Sequence, residues 1–239
     1  MRIFFLHLSL LTTYHSLLTT HPSLFTVFIM ACPILKSDPR GIKKAAQIVL
    51  EGGVIAFPTE TFYGLAADVL NEAALRKIFQ VKKREKGKPI LLLIADKSWL
   101  KGLVQNISPL AERLMEKFWP GPLSLVFHAS PQLSPLLTAD TGKIGIRLSP
   151  HPVTQAFVQA VGRAITATSA NLSGQPGTLT AREVYQSLGE RLDAVLDGGK
   201  TAGGPGSTVL DVSDPSPRII REGMISRNEL SPFLGTGRK

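Results

Sequence analysis

Residues 54–65 read VIAFPTETFYGL, an apolar run that passes directly into a polar segment. The apolar part is short and is closed by a proline, a pattern typical of a buried β-strand. Just upstream, apolar residues recur at helical spacing over residues 42–50, and two glycines end that helix. A helix, a buried strand and then a polar loop predict an α/β fold in which the loop lies at the carboxyl end of the strand.

The rest of the chain continues the alternation of helix and strand. Further strands are predicted at residues 90–94, 123–127, 144–148, 165–167, 194–196, 208–212 and 218–220. Further helices are predicted after a cap at Asn71, over residues 109–118, 152–161 and 181–188, and in a last short helix from residue 226. Because the connections vary in length, we expect a twisted, mixed parallel and antiparallel sheet flanked by helices. We assign these elements to a single domain over residues 34–235.

The first 29 residues form an extension with a different composition. From Met1 to Met30 the only charged residue is Arg2, and three of the five histidines lie here. Polar residues interrupt the apolar ones, so no run of about 18 apolar residues could span a membrane. Two interpretations stay open: translation starts at Met30, or residues 1–29 are a targeting segment. We expect a cytoplasmic protein without a membrane partner unless that segment directs it to an organelle or to export.

The overall charge favours an anionic partner. Lys and Arg number 27 against 18 Asp and Glu, a formal net charge of +9, which suits a nucleotide, phosphate or RNA. The single cysteine, Cys32, excludes a disulfide framework and a zinc site of several thiolates. Gly199-Lys200-Thr201 is similar to the end of a P-loop, but Ala194 stands where that loop needs glycine. ATP binding would therefore need another kind of phosphate site.

Three polar clusters accompany the predicted strands. Residues 58–65 and 167–174 each follow a strand, and residues 82–89 (KKREKGKP) connect a helix to a strand. Hydroxyl side chains and exposed backbone amides at strand ends suit a phosphate or ribose, and the five cations of the middle cluster suit a triphosphate. Each cluster also has a purely structural interpretation, as a local turn or a solvated helix end.

Longer strings resemble the YrdC-like family, the threonylcarbamoyl-AMP synthases. The resemblance begins with GGVIAFPTETFYGLAADVLNEAALRKIFQVKKREKGKPI at residues 52–90 and continues, in the same order, with FWPGPLSLVF, IGIRLSPHP, TATSANLSGQP and GSTVLDV. It covers residues 38–225 in the short, single-domain form. The resemblance implies an α/β sheet around a large basic cavity. It also implies a reaction that joins L-threonine, bicarbonate and ATP into threonylcarbamoyladenylate and pyrophosphate. A partner transferase complex then passes the threonylcarbamoyl group to adenosine in tRNA.

The resemblance also implies roles for individual residues. The positions that match threonine contacts are Thr61, Arg147 and Ala167. The positions that match ATP contacts are Arg84, Lys88, Lys143, Ser169, Asn171, Gly177 and Arg221. The family's Lys-x-Arg set supplies Lys82 and Arg84 as catalytic residues. Three positions depart from the family: Leu93 replaces a threonine-binding histidine of some members, while Lys143 and Gly177 replace hydroxyl residues at ATP.

The implied chemistry fits the residues that are present. A carbamate oxygen can attack the α-phosphate of ATP without an enzyme nucleophile, and the sequence contains no nucleophile elbow or comparable signature. Catalysis would rest on positioning and on charge neutralisation by Arg, Lys and the Mg²⁺ that accompanies ATP, with no metal site on the protein itself. Two alternatives stay open: a module that binds tRNA or double-stranded RNA, and a family member without synthase activity.

Overall fold

A computed structural model describes residues 32–83 and 87–234 of the chain. The strands are β1 (Ile34–Lys36), β2 (Ile55–Phe57), β3 (Gly64–Ala66), β4 (Leu92–Leu93), β5 (Leu123–His128), β6 (Lys143–Arg147), β7 (Ile165–Thr166), β8 (Thr168–Ser169), β9 (Ala194–Asp197), β10 (Thr208–Asp211) and β11 (Arg218–Arg221). The α-helices are α1 (Pro39–Leu50), α2 (Glu72–Lys82), α3 (Pro109–Phe118), α4 (Pro135–Thr138), α5 (Pro152–Val161), α6 (Ala181–Leu188) and α7 (Arg227–Leu234). The predicted extension at residues 1–29, the alternative start at Met30 and Arg84 lie outside the described residues.

The strands are shared between two mixed sheets. The first has the order β1-β9-β2-β3-β8, in which β9 is parallel to both β1 and β2, and β3 is antiparallel to both β2 and β8. The second has the order β11-β10-β5-β6-β4-β7, in which β10 runs parallel to β5 and β6 runs parallel to β4. Its other pairs are antiparallel. The mixed α/β class is therefore confirmed, with two sheets in place of one.

Two apolar clusters hold these layers together. In the smaller one, α1 and α5 pack on β2 through Ala45, Val49 and the tilted ring pair of Phe57 and Phe157, whose centroids are 5.4 Å apart. The larger one joins both sheets to the remaining helices. Burial of this much apolar surface is the main stabilising term, at about 25 cal/mol per Å² removed from water. The strand ends between the clusters are thereby held in fixed positions.

Local signals in the sequence explain the helix boundaries. The Asp38 carboxylate accepts the Gly41 amide at 2.8 Å at the start of α1, and Asn71 Oδ1 accepts the Ala74 amide at 3.1 Å at the start of α2. The predicted cap at Asn71 is confirmed, and the Thr180 side chain caps α6 in the same way by accepting the Glu183 amide. Lys83 ends α2 in the left-handed region, with φ +49°. The helix therefore ends within the predicted basic segment at residues 82–89.

Most predicted elements are found, and the differences lie in short pieces. The helices over residues 109–118, 152–161 and 181–188 match their predicted bounds. The strand predicted at residues 90–94 shortens to β4, and the sequence did not predict β1, β3, β8 or α4. Across the described residues, no helix has the length and apolar content that a membrane crossing needs.

Candidate active site

A cavity of about 700 Å³ is lined by alternate residues along β6 and β10, by β11, and by the segments around β3 and β8. Eight of the residues predicted to bind a substrate line it: Thr61, Lys143, Arg147, Ala167, Ser169, Asn171, Gly177 and Arg221. They come from five separate parts of the chain. Among the described lining residues, four are cationic (Lys143, Arg147, Arg218 and Arg221) and one is acidic (Asp211). The polar clusters at residues 58–65 and 167–174 therefore meet at one place.

The three residues that were predicted to bind the substrate threonine all line this cavity. Arg147 is the last residue of β6 and pairs in register with Leu93 of β4. Thr61 follows β2, and its hydroxyl lies 3.2 Å from the hydroxyl of Thr59. Ala167 lies between β7 and β8, where its amide donates to the Leu91 carbonyl at 2.7 Å. One cation, one hydroxyl and one small residue thus converge, a set that suits a compact amino acid.

Arg147 is held by a carboxylate that the sequence analysis did not single out. The residue is only 6% exposed, and its Nη1 donates to Glu60 Oε1 at 2.6 Å. Burial lowers the pKa of Arg147, the attraction of Glu60 opposes that effect, and the repulsion from Arg221 adds to it. The signal available in the sequence was that Glu60, an acidic residue, directly precedes Thr61, which was predicted to bind the substrate. Its ion pair depends on a residue 87 positions away in the chain.

The Lys82 ammonium contacts the Ser169–Asn171 turn. Lys82 is 2% exposed, and its Nζ donates to the Ser169 carbonyl, to the Asn171 carbonyl at 2.8 Å and to Asn171 Oδ1 at 3.2 Å. The side-chain Nδ2 of Asn171 donates in turn to the Gln175 backbone carbonyl at 2.5 Å. Lys82 of the Lys-x-Arg set therefore contacts a turn that lines the cavity, although Lys82 itself is not among the lining residues.

At the start of β6, acidic residues hold Lys143. Its Nζ lies 2.7 Å from Asp214 Oδ2 and 3.1 Å from Asp211 Oδ2, and these hydrogen bonds raise its pKa. Burial alone would raise the pKa of Asp211, but hydrogen bonds from Ser213 and the Lys143 charge lower it overall. Nearby, Arg221 Nη2 donates to the Ser207 carbonyl at 2.8 Å. Lys143, which was predicted to replace a hydroxyl residue at ATP, is thus part of an ion-pair cluster.

Gly177 leaves room for an aromatic ring. A Cβ added there would lie 2.6 Å from Phe62 Cδ1, well inside van der Waals contact. Phe62 itself lines the cavity, and a Cβ on Gly206 would lie 3.6 Å from its Cε2. The ring therefore fills the space that a side chain at residue 177 would need. Any contact of Gly177 with a nucleotide must come from its backbone.

Replacing Gly177 with serine is expected to lower the free energy of unfolding by about 1–3 kcal/mol, because the new side chain overlaps the Phe62 ring. The Phe62→Val change in the same chain should recover most of that loss. Denaturant unfolding of the single and double variants measures both effects. Gly102→Ser is the matched control, since no atom lies within 4 Å of a Cβ added at Gly102. Equal stability of the two serine variants would show that Phe62 does not restrict residue 177.

Two further predicted residues, Lys88 and Arg84, and the departure at Leu93 lie away from the cavity lining or outside the described ranges. Lys88 is exposed and precedes Pro89, which does line the cavity. Leu93 is fully buried in the smaller apolar cluster, so it does not take over the contact that the family's histidine would make. Arg84 is not described.

Tyr63 forms a buried part of the cavity wall. Its hydroxyl donates to the Gly199 carbonyl at 2.8 Å and accepts the Gly198 amide at 3.2 Å, which joins β2–β3 to the glycine-rich segment after β9. Burial raises the pKa of Tyr63 to about 12, and the charge of Asp197 adds to this effect.

We expect Tyr63 to make the protein less stable in strong base. An unfolded tyrosine ionises near pH 10 while the folded one stays neutral to about pH 12, so this contribution is complete below about pH 10 and is lost as the pH rises. The stability advantage of the wild type over Tyr63→Phe should therefore shrink across that range. Urea unfolding of both proteins over a pH series measures it. A constant difference would contradict the raised pKa.

The described residues contain no group of three or more His, Cys, Asp or Glu side chains that could hold a metal ion. Apart from the Asp211 carboxylate, the polar side chains that line the candidate site are cations, hydroxyls and amides. Such groups bind anions and polarised oxygens.

Comparison with known proteins shows which family the chain belongs to. The Sua5–YciO–YrdC family model, described as "Telomere recombination", matches residues 47–223. The Bacillus subtilis threonylcarbamoyl-AMP synthase is 40% identical over 200 residues, which cover 83% of this chain and 58% of that protein. The Pyrococcus abyssi threonylcarbamoyl-AMP synthase is 35% identical over 81% of this chain and 57% of its own length. The chain therefore spans less than two thirds of these relatives.

Solved structures share the fold. The crystal structure of P. abyssi Sua5 complexed with L-threonine has a TM-score of 0.81 at 33% identity, covering 85% of this chain and 61% of that one. The E. coli YciO structure has a TM-score of 0.74 at 28% identity and is covered over 98% of its length. The resemblance seen in the sequence is confirmed. The chain belongs to the Sua5–YciO–YrdC family.

Proposed function

We propose that the chain is a threonylcarbamoyl-AMP synthase, which makes L-threonylcarbamoyladenylate and pyrophosphate from L-threonine, bicarbonate and ATP. One observation carries the proposal: Arg147, a buried cation suited to a carboxylate, shares a cavity with Arg221 and the Ser169–Asn171 turn, which suit phosphates. The relatives named threonylcarbamoyl-AMP synthase, at 40% and 35% identity, support it. So does the P. abyssi relative, which was crystallised with L-threonine.

In the proposed reaction the threonine amine adds to bicarbonate and releases water, giving a carbamate. A carbamate oxygen then attacks the α-phosphorus of ATP, the bond to the β-phosphate oxygen breaks, and pyrophosphate leaves. Arg147 would hold the threonine carboxylate, while Thr61 and Ala167 would contact the rest of the amino acid. Arg221, Ser169, Asn171 and the backbone at Gly177 would contact the nucleotide. Such a reaction needs positioning and charge neutralisation more than an enzyme nucleophile.

We further propose that Lys88, Arg84 and Lys143 bind the phosphates of ATP, and that Mg²⁺ enters as part of the MgATP substrate. The product would pass in the cytoplasm to a transferase complex that modifies adenosine in tRNA. Lys143 would have to leave Asp211 or Asp214 to reach a phosphate, because both carboxylates hold its Nζ in the free protein.

The test is pyrophosphate release by the full chain with ATP, Mg²⁺ and bicarbonate, measured with and without L-threonine. The proposal predicts release that depends on both threonine and bicarbonate, with the adenylate identified by mass spectrometry. Glycine in place of threonine serves as the control for non-specific hydrolysis. Salt-sensitive binding of RNA without any threonine-dependent release would favour the RNA-binding alternative and overturn the proposal.

A further inference from the structure

Both oxygens of the Glu60 carboxylate are engaged beneath the cavity. Oε1 accepts Arg147 Nη1 at 2.6 Å, and Oε2 accepts the Ser149 hydroxyl at 2.5 Å. The Ser149 hydroxyl also accepts the His151 amide at 3.2 Å, at the start of α5. Glu60 is not among the cavity-lining residues, whereas Arg147 is. The carboxylate therefore contacts Arg147 from the protein side and is itself fixed by the β6–α5 connection.

We propose that Glu60, fixed by Ser149, is the positioning residue that orients the Arg147 guanidinium for the amino-acid carboxylate. This inference rests on the proposed function. A guanidinium presents its donors in one plane, so a bond at Nη1 fixes the direction of the Nε–Nη2 edge. That edge can then bind a carboxylate with two parallel hydrogen bonds. Without Glu60 the long arginine side chain would sample several rotamers, and binding would carry the entropic cost of fixing one.

Charge supports the same role. Burial and the repulsion from Arg221 both act against the charged form of Arg147, and Glu60 is the group that opposes them. The carboxylate side chain is 14% exposed, so this ion pair is only weakly screened by solvent. Glu60 thus offsets the cost of burying this cation and aims it before any substrate arrives. Such preorganisation improves binding of the ligand that the cation contacts and leaves distant contacts unchanged.

The test compares Glu60→Gln, Ser149→Ala and wild type by steady-state pyrophosphate release. Glutamine keeps the size of the side chain and removes its charge and one acceptor. We expect Glu60→Gln to raise KM for L-threonine by about 10- to 100-fold, the scale of one charge-assisted hydrogen bond. Ser149→Ala should raise it by a smaller factor of about 3 to 10, because it loosens Glu60 and leaves the ion pair. KM for ATP should stay within about twofold in both.

A double variant tests the route of the effect. In a chain that carries Arg147→Lys, adding Glu60→Gln should change KM for threonine by less than about threefold, because the residue that Glu60 orients is already gone. The matched control is Asp68→Asn, which removes another buried carboxylate, paired with Arg163 at 3.3 Å and absent from the cavity lining. It should lower stability and leave both Michaelis constants unchanged.

Each outcome separates this inference from the proposed function. A wild-type chain with threonine-dependent release, together with an unchanged threonine KM in Glu60→Gln, overturns the positioning role and leaves the synthase activity standing. Equal losses in kcat with both Michaelis constants unchanged would likewise overturn it. If the wild-type chain shows no threonine-dependent release of pyrophosphate, both the proposed function and the positioning role of Glu60 are overturned. Should Glu60→Gln fail to fold, Ser149→Ala with the threonine titration decides the question.

Discussion

Replacing Arg147 with lysine is expected to raise KM for L-threonine by about 100-fold and to leave KM for ATP within about twofold. Lysine keeps the positive charge beside Glu60, so the buried carboxylate is not left unpaired and the protein should remain folded. The planar guanidinium can bind Glu60 at one nitrogen and both oxygens of the threonine carboxylate at two others. A single ammonium cannot make these three contacts in one plane. The loss therefore falls on the amino acid that Arg147 contacts.

Initial rates of pyrophosphate release, with each substrate varied in turn, measure this split. Arg163→Lys is the matched control, because Arg163 also forms an ion pair, at 3.3 Å with Asp68, but does not line the cavity. It should change neither constant. Equal increases in KM for threonine and KM for ATP would show that Arg147 does not bind the threonine carboxylate. Arg147→Ala is a poorer test, since an unpaired buried Glu60 would itself cost about 3–5 kcal/mol.

The second large effect is expected at Lys82. Lys82→Met keeps most of the apolar stem and removes the ammonium, so the carbonyls of Ser169 and Asn171 and the Asn171 side chain lose their shared donor. We expect the free energy of unfolding to fall by about 3 kcal/mol. We also expect turnover to fall by about 100-fold or more, the scale of losing one preorganised group, because the turn that lines the cavity is no longer held.

Denaturant unfolding and saturated turnover measure the two parts of this prediction. Lys77→Met is the matched control on the same helix: Lys77 pairs with Asp193 at 2.5 Å, is about one-third exposed and does not line the cavity. An exposed pair of this kind contributes about 0–1 kcal/mol, so stability should change little and turnover not at all. Near-normal turnover in Lys82→Met would contradict a role for the ammonium in holding the turn.

The helices and the buried strands could be predicted because their signals are local. The cap at Asn71 and the helical spacing after it define α2 within one stretch of sequence. The short elements could not be predicted in the same way. Strand β3 has only three residues, and it exists because Gly64 and Leu65 pair with β2 on one side and β8 on the other. Such a strand is stabilised by distant partners and leaves no periodic pattern.

The candidate site divides in the same manner. The resemblance to the family selected eight of the residues that line the cavity, because the types and order of residues are written in the sequence. The sequence could not give the partners of those residues: Glu60 beside Arg147, Phe62 against Gly177, and the carboxylates that hold Lys143. Each of these pairs joins segments that are far apart along the chain.

The sequence by itself determined the α/β class, the family and the set of polar residues at the strand ends. Only the tertiary structure decided how the strands divide into two sheets, and that Lys82 contacts the Ser169–Asn171 turn. The physical reason is that helix caps and apolar periodicity act over a few residues, so they can be read along the chain. Burial, ion pairing and steric exclusion depend on which segments meet in space, and that is settled only when the whole core packs.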